Sequence, residues 1–259
     1  MITTIIFDLD GTLYLGEHAI DGAARTLEKL RSVGKKLFFL SNAATRSRKQ
    51  QLLKLRGMGM VVHHGEVYNS AYATACYIEQ NHPGKKVFVI CEGGVQKELK
   101  LKGIIVAGAA QAEVVAIGLD RNITWNKIAA ASLAIRRGAV FIGTNPDPAY
   151  PTKKGLMPGA GAIIAAVETA AGKKPDIILG KPHTFLLEEI AKEHTLKKEE
   201  ILIVGDRYES DILAAKNFGI KSAAVLTGVI TQDDIAKLKE KPDYVLNSVD
   251  ELPTLLSTL

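Results

Sequence analysis

The feature that most limits the fold of this chain is an alternation. Short, almost continuous apolar runs are separated by helix-length amphipathic stretches, and the pattern recurs near both ends of the 259 residues. Thr3-Thr4-Ile5-Ile6-Phe7 is β-branched and aromatic, which fits a strand covered on both faces. A helix is expected over 22–33, where Ala23, Leu27 and Leu30 form one stripe and Gly34 ends it. Lys36 to Leu40 is a second buried strand, ending at Ser41-Asn42; a basic helix over 46–56, a short strand at Val61-Val62 and a helix over 66–80 follow. Near the other end come a helix over 182–193 with Thr184 as N-cap, a strand over Ile201–Val204, a helix over 210–218 closed by Gly219, and a strand over 220–226. This order makes a parallel sheet with helices on both faces.

The middle of the chain carries a second core. Strands are expected at Lys86–Ile90, Val114–Gly118 and Val140–Gly143, with helices over Trp125–Arg137 and 161–171. An inserted α/β domain over 81–178 accounts for this better than one continuous sheet, leaving 1–80 and 179–259 as a discontinuous core. Asn81-His82-Pro83-Gly84 and Lys173-Lys174-Pro175 serve as linkers.

Composition narrows the functional classes. The net charge is +5, but the basic residues form only short groups, at Arg46-Ser47-Arg48-Lys49, Lys85-Lys86, Lys153-Lys154 and Lys173-Lys174, without interleaved aromatics. That argues against nucleic acid and suits an enzyme that draws in anionic substrates. No apolar run approaches the ~20 residues of a membrane span, and the N-terminus has no charged segment ahead of an apolar one. A cytoplasmic protein without a membrane partner is expected. Two cysteines, Cys76 and Cys91, make neither a disulfide framework nor a zinc site and read as free thiols.

Chemistry concentrates where strands end. Asp8-Leu9-Asp10-Gly11-Thr12 breaks off the first strand abruptly; by itself such a segment is equally a capped turn. A second acidic cluster, Gly205-Asp206-Arg207-Tyr208-Glu209-Ser210-Asp211, follows the strand over Ile201–Val204, with Asp211 in the first turn of the next helix. Aspartates at two strand ends repel each other unless a cation lies between them, and hard oxygen ligands suit Mg²⁺. Lys181 precedes Pro182, which fits the first turn of a helix and would fix the lysine's direction. Its charge is what a phosphate among carboxylates requires. Ser41-Asn42 adds a hydroxyl and an amide at the same sheet edge, although alone it reads as a turn or an N-cap.

At these residues the chain resembles the haloacid dehalogenase (HAD) superfamily of phosphatases. Asp8-Leu9-Asp10-Gly11-Thr12 resembles its first motif, Ser41-Asn42 the second, Lys181 the third, and Gly205-Asp206 with Asp211 the fourth. The likeness is closer still to the NagD-like subfamily, through Tyr14-Leu15-Gly16, Gly143-Thr144-Asn145-Pro146-Asp147, Met157-Pro158-Gly159-Ala160-Gly161 and Gly180-Lys181-Pro182. It spans nearly the whole chain. The resemblance implies an α/β fold, with a Rossmann-like parallel-sheet core and an inserted α/β cap. It also implies a Mg²⁺-dependent phosphatase acting on a small phosphorylated metabolite. In that scheme Asp8 is the nucleophile and a metal ligand; Asp10 is the general acid/base and binds the metal through its backbone carbonyl. Asp206 completes the metal ligands, and Asp211 supports the metal shell or orients Lys181. Ser41, Asn42 and Lys181 bind the phosphate. Relatives often present cap residues from the stretch matching Asp147-Pro148-Ala149-Tyr150-Pro151, which makes Tyr150 a candidate specificity residue, with ordinary cap packing an equal alternative. A homodimer formed through the cap is compatible with the resemblance.

The motifs alone leave open phosphoryl transfer to an acceptor other than water, as in a mutase. A phospho-ligand binding protein without turnover is disfavoured by the intact Asp8, Asp10, Lys181, Asp206 and Asp211. Gly159-Ala160-Gly161 partly matches a dinucleotide fingerprint, but Ile164 stands where the third glycine belongs and no strand is expected directly before it.

Overall fold

The structure, a computed structural model, describes residues 1–152 and 154–258. Lys153, half of one basic pair, and Leu259, at the end of the expected core, lie outside the described residues. The chain forms two compact units, one of Met1–Ser41, Gln51–Tyr68 and Lys181–Leu259, the other of Asn42–Gln50 and Asn69–Gly180. The second unit is wider than the insertion read from the sequence over 81–178, because it takes in residues 42–50 and the helix Ser70–Asn81.

The first unit is built on a six-stranded sheet. In spatial order its strands are Tyr244–Leu246, Lys221–Val225, Ile201–Gly205, Thr4–Phe7, Lys36–Ser41 and Val67–Asn69. Thr4–Phe7 runs parallel to both neighbours, with Phe7 opposite Val204 on one side and Phe39 on the other. Ile5, Ile6 and Phe7 are fully buried, the burial that a continuous apolar strand predicts. The helix Ala23–Ser32 turns Ala23, Leu27 and Leu30 into the core that Phe7, Phe39, Leu202 and Val204 share.

Five local expectations change. Val61-Val62 is not a strand; the edge strand is Val67–Asn69, wholly buried. The following helix starts at Ser70 rather than 66 because the Asn69 side chain accepts a hydrogen bond from the Tyr72 N–H at 2.9 Å. Pro182 does not open a helix: the Lys181–Pro182 peptide is cis and the helix spans Phe185–Glu193. Thr184 stands at the N-cap position, but its hydroxyl bonds the Glu188 carboxylate and not the backbone. Asp211 lies in a wide π-helical turn, Tyr208–Ile212, ahead of the helix Leu213–Phe218.

The second unit has its own parallel sheet, in the order Ile177–Ile178, Val140–Gly143, Val114–Ile117 and Val87–Ile90. The helix Trp125–Arg136 starts at Thr124, whose side chain caps the Lys127 N–H, and packs on Ala160–Ala171 around Val115, Ile117 and Phe141. A helix at Gly94–Leu101 was not expected from the sequence. An antiparallel hairpin pairs Ala149–Thr152 with Gly155–Pro158. A strand does therefore precede Gly159, but it belongs to a hairpin and not to the strand–helix–strand unit that a dinucleotide fingerprint needs. Among the described residues no helix is long and apolar enough to cross a membrane.

Candidate active site

Parallel strands deliver their C-terminal ends to one edge of a sheet, where ligands of such sheets bind. In the first unit Thr4–Phe7 ends in Asp8, its neighbour Ile201–Gly205 in Asp206, and Lys36–Ser41 in Ser41 itself. The Asp8 N–H donates to the Val204 carbonyl at 2.8 Å, so the ladder holds the backbone of Asp8 beside Gly205.

Lys181 reaches the same edge and is only 2% exposed. Its Nζ donates to Asp8 Oδ1 and Asp211 Oδ1, both at 2.5 Å, and to the Leu40 carbonyl at 3.3 Å. The other oxygen of Asp211 accepts from the Arg207 N–H at 3.1 Å, which leaves that carboxylate fixed at both ends. Asp206 Oδ2 accepts from the Val229 N–H at 2.8 Å. Asp206 Oδ1 is buried and has no hydrogen-bond partner among the described residues. Glycines allow this crowding. A β-carbon at Gly11, whose φ is +92°, would stand 2.3 Å from Asp206 Oδ2, and one at Gly228 would stand 2.0 Å from the same atom.

The electrostatics follow from three carboxylates around one ammonium. Burial pushes the Asp8 carboxyl well above the ordinary range; Lys181 opposes the rise, while Asp211 and Asp206 add to it. Burial, then the charge of Asp211, pushes Asp206 up to about 6. Burial works to lower the Lys181 pKa, but Asp211 and Asp8 overcome it and hold the ammonium above its usual value. The cluster is therefore short of positive charge. One oxygen each from Asp8, Asp206 and Asp211 lies within 4.8 Å of the others. Together with the unpartnered Asp206 Oδ1, this donor set of hard oxygens fits a divalent cation such as Mg²⁺.

The remaining candidates are Asp10, Asn42 and Tyr150. Asp10 is exposed, and its Oδ1 accepts from the Gly16 N–H at 3.2 Å, in the turn of a short ribbon made by Tyr14–Leu15 and His18–Ala19. Asn42 belongs to the second unit, where its Nδ2 lies 3.1 Å from each carboxylate oxygen of Asp147. Tyr150 sits in the hairpin of that unit, opposite Met157, and interacts with Arg121. Sequence reasoning missed the backbone groups of Leu40, Arg207 and Val229, which carry no side-chain signature. It also missed Thr227, whose hydroxyl donates to the Gly11 carbonyl at 2.6 Å. A usable signal was present, since Thr227-Gly228 follows a strand at the same edge.

Known proteins similar to this chain include phosphatases. The haloacid dehalogenase-like hydrolase family model matches residues 5–105, and a HAD-hydrolase-like model matches 178–252. An acid sugar phosphatase of Staphylococcus aureus is 36% identical over 246 residues, covering 95% of each chain. The crystal structure of a 4-nitrophenylphosphatase from Thermotoga maritima superimposes with a TM-score of 0.94 at 32% identity, over 98% of this chain and 97% of that one. NagD from Escherichia coli K-12 gives 0.88 at 32% identity, over 96% and 98%.

Proposed function

Because the chain belongs to the haloacid dehalogenase-like hydrolases and is a phosphoric monoester hydrolase, we propose that it acts through a covalent phosphate on Asp8. The observation that carries this reading is the placement of Lys181 Nζ between Asp8 and Asp211, whose carboxylates cluster with that of Asp206. Lys181 engages Oδ1 of Asp8, which leaves the other oxygen to attack phosphorus. A bond forms between that oxygen and phosphorus as the ester P–O bond breaks, and Asp10 gives its proton to the departing oxygen. Water then attacks the aspartyl-phosphate, Asp10 takes up its proton, and the Asp8 oxygen leaves with inorganic phosphate as product.

Asp8, Asp206 and the Asp10 carbonyl would hold Mg²⁺, with Asp211 behind them. Bound there, the ion supplies the positive charge that lets a carboxylate approach a phosphate dianion. Lys181 contributes in the same sense, held as an ammonium by Asp211 and Asp8. Ser41 and Asn42 bind the phosphate oxygens in this reading, and Tyr150 contributes to substrate choice. The residues over 81–178 act as the cap that excludes water from the reaction. The substrate is a small phosphorylated metabolite and the setting cytoplasmic, in keeping with two free buried thiols.

The test is Mg²⁺-dependent phosphate release from p-nitrophenyl phosphate and a panel of sugar phosphates. Asp8→Asn should lower the rate on the order of 10⁴-fold or more, the scale of losing a nucleophile, with the thermal midpoint retained. Wild-type-like turnover in that variant would sink the covalent mechanism.

A further inference from the structure

We propose that Asp147 is a positioning residue that orients the side chain of Asn42; the inference rests on the reading above that Asn42 binds the substrate phosphate. Asn42 Nδ2 lies 3.1 Å from both Asp147 Oδ1 and Oδ2. An amide left to itself presents its oxygen or its nitrogen with equal ease. An ionised carboxylate only accepts, so it admits the nitrogen end alone and fixes which end of the amide is which. A negative charge is otherwise an unhelpful neighbour for a group that receives a phosphate.

The loop that carries Asp147 grips residue 42 a second time. Asn145 Nδ2 donates to the Asn42 carbonyl at 2.8 Å, and Asn145 Oδ1 accepts from the Asp147 N–H at 3.2 Å. The loop is itself braced. The Gly161 N–H donates to the Asp147 carbonyl at 2.9 Å and the Gly159 N–H to the Pro148 carbonyl at 2.8 Å. A β-carbon at Gly159 would stand 2.3 Å from the Asp147 carbonyl oxygen, and one at Gly161 2.3 Å from that of Pro146. The oxygen end of the Asn42 amide faces Gly180, where a β-carbon would come within 2.7 Å of Oδ1. Both ends of the amide thus have assigned neighbours, and Asp147 is the one whose charge enforces the assignment. The Gly143–Asp147 and Met157–Gly161 stretches, which the proposed mechanism leaves unused, become the scaffold of one phosphate-binding amide.

The experiment is a double-mutant cycle on Asn42→Ala and Asp147→Ala in the full-length protein with Mg²⁺. It reads kcat and KM for p-nitrophenyl phosphate and the inhibition constant of inorganic phosphate. Asp147→Ala should raise KM and the phosphate inhibition constant about ten-fold, the scale of one hydrogen bond to a charged group, with a smaller change in kcat. Asp147→Asn, which keeps an acceptor oxygen but adds a donor end and loses the charge, should recover only part of that loss. The double variant should be no worse than Asn42→Ala alone, because the two residues act through one contact. If Asp147→Ala lowers the thermal midpoint, Asp147→Leu, of similar shape and without an acceptor, repeats the cycle. Independent, multiplying effects, or a KM that Asn42→Ala raises and the Asp147 variants leave alone, overturn the positioning role and spare the phosphate reading. An Asn42→Ala variant with unchanged KM and phosphate inhibition overturns both.

Discussion

At the C-terminal edge of the first sheet, Asp8, Asp206 and Asp211 face the single ammonium of Lys181. At the same edge of the second sheet, two acids each have a basic partner. Glu92 takes Arg121 through Nε and Nη2 at 2.6 Å each, and Asp120 takes Lys127 at 2.6 Å. The consequences have opposite signs. Hydrogen bonding to Arg121 holds the Glu92 carboxyl below its ordinary range, whereas burial and neighbouring carboxylates drive Asp8 and Asp206 above it. Both edges come from the same strand–helix pattern, so the fold alone does not create the imbalance. On the proposed mechanism, the edge that keeps a charge deficit is the one that would receive a cation and an anionic substrate.

The sharpest way to break this comparison is to delete one cation from each edge. Lys181→Met takes away the ammonium that bonds both Asp8 and Asp211. It should cut phosphate release roughly 10³-fold or more, as when an electrostatic stabiliser is lost. It should also cost about 3 kcal/mol of stability, the scale of orphaning a buried ion pair, measured by denaturant unfolding without divalent cation. Lys127→Met removes a partly exposed lysine from a pair of similar length. Asp120 is buried but keeps the Asn122 N–H at 2.9 Å, so the cost should be smaller, about 1–2 kcal/mol, with turnover unchanged. Equal losses of stability in the two variants would mean that the edges do not differ as described.

A second, smaller effect is a gain in stability. A carboxyl whose pKa is raised in the folded chain holds its proton more tightly there than when unfolded. For Asp206, pushed up to about 6, stability without metal therefore falls as pH rises from the unfolded value, near 4, to about 6, and stays lost above that. Asp206→Asn removes the penalty. In EDTA at pH 7.5 the variant should melt above the wild type, by about 2–4 °C for each kcal/mol relieved, and the gap should close near pH 4. Adding Mg²⁺ should raise the wild type and not the variant, which reverses the ranking. A variant that melts lower in EDTA would show that the Val229 N–H contact outweighs the repulsion.

The readable part of this molecule was the part written in side chains of one element. Thr3–Phe7, Lys36–Leu40 and Ile201–Val204 show their double-faced burial in composition, and Asp8 and Asp206 stand where two of those strands end. Val61-Val62 misled because two β-branched residues do not make an edge strand without a partner, and Val67–Asn69 took that place. The helix expected from Pro182 spans Phe185–Glu193 instead, and no residue letter marks that later start. Most opaque were contacts whose donor or acceptor is a peptide group, such as Val229 to Asp206 and Leu40 to Lys181. Any residue at those positions would supply the same N–H or carbonyl, so no letter announces the role. The Asn42–Asp147 contact joins side chains 105 positions apart and depends on the loop between them, not on either residue's own element.

The smallest expected effect concerns the matched edge itself. Arg121 is more than half exposed, and its own backbone N–H also bonds Glu92 Oε1, at 3.1 Å. Arg121→Met should therefore cost under about 1 kcal/mol, because a main-chain partner stays with the carboxylate. The adjoining Cys91 thiol reports whether the edge keeps its shape. Burial first, and then the charge of Glu92, pushes that thiol up to about 12, and its Sγ is held toward the Ala44 carbonyl. Losing Arg121 leaves the Glu92 charge less screened, which moves the thiol further from ionising. Alkylation of Cys91 at pH 8 should thus be slow in the wild type and no faster in Arg121→Met. Faster labelling in the variant would mean that the guanidinium holds the second edge closed, and that its neutrality is structural in the way Lys181 is at the first.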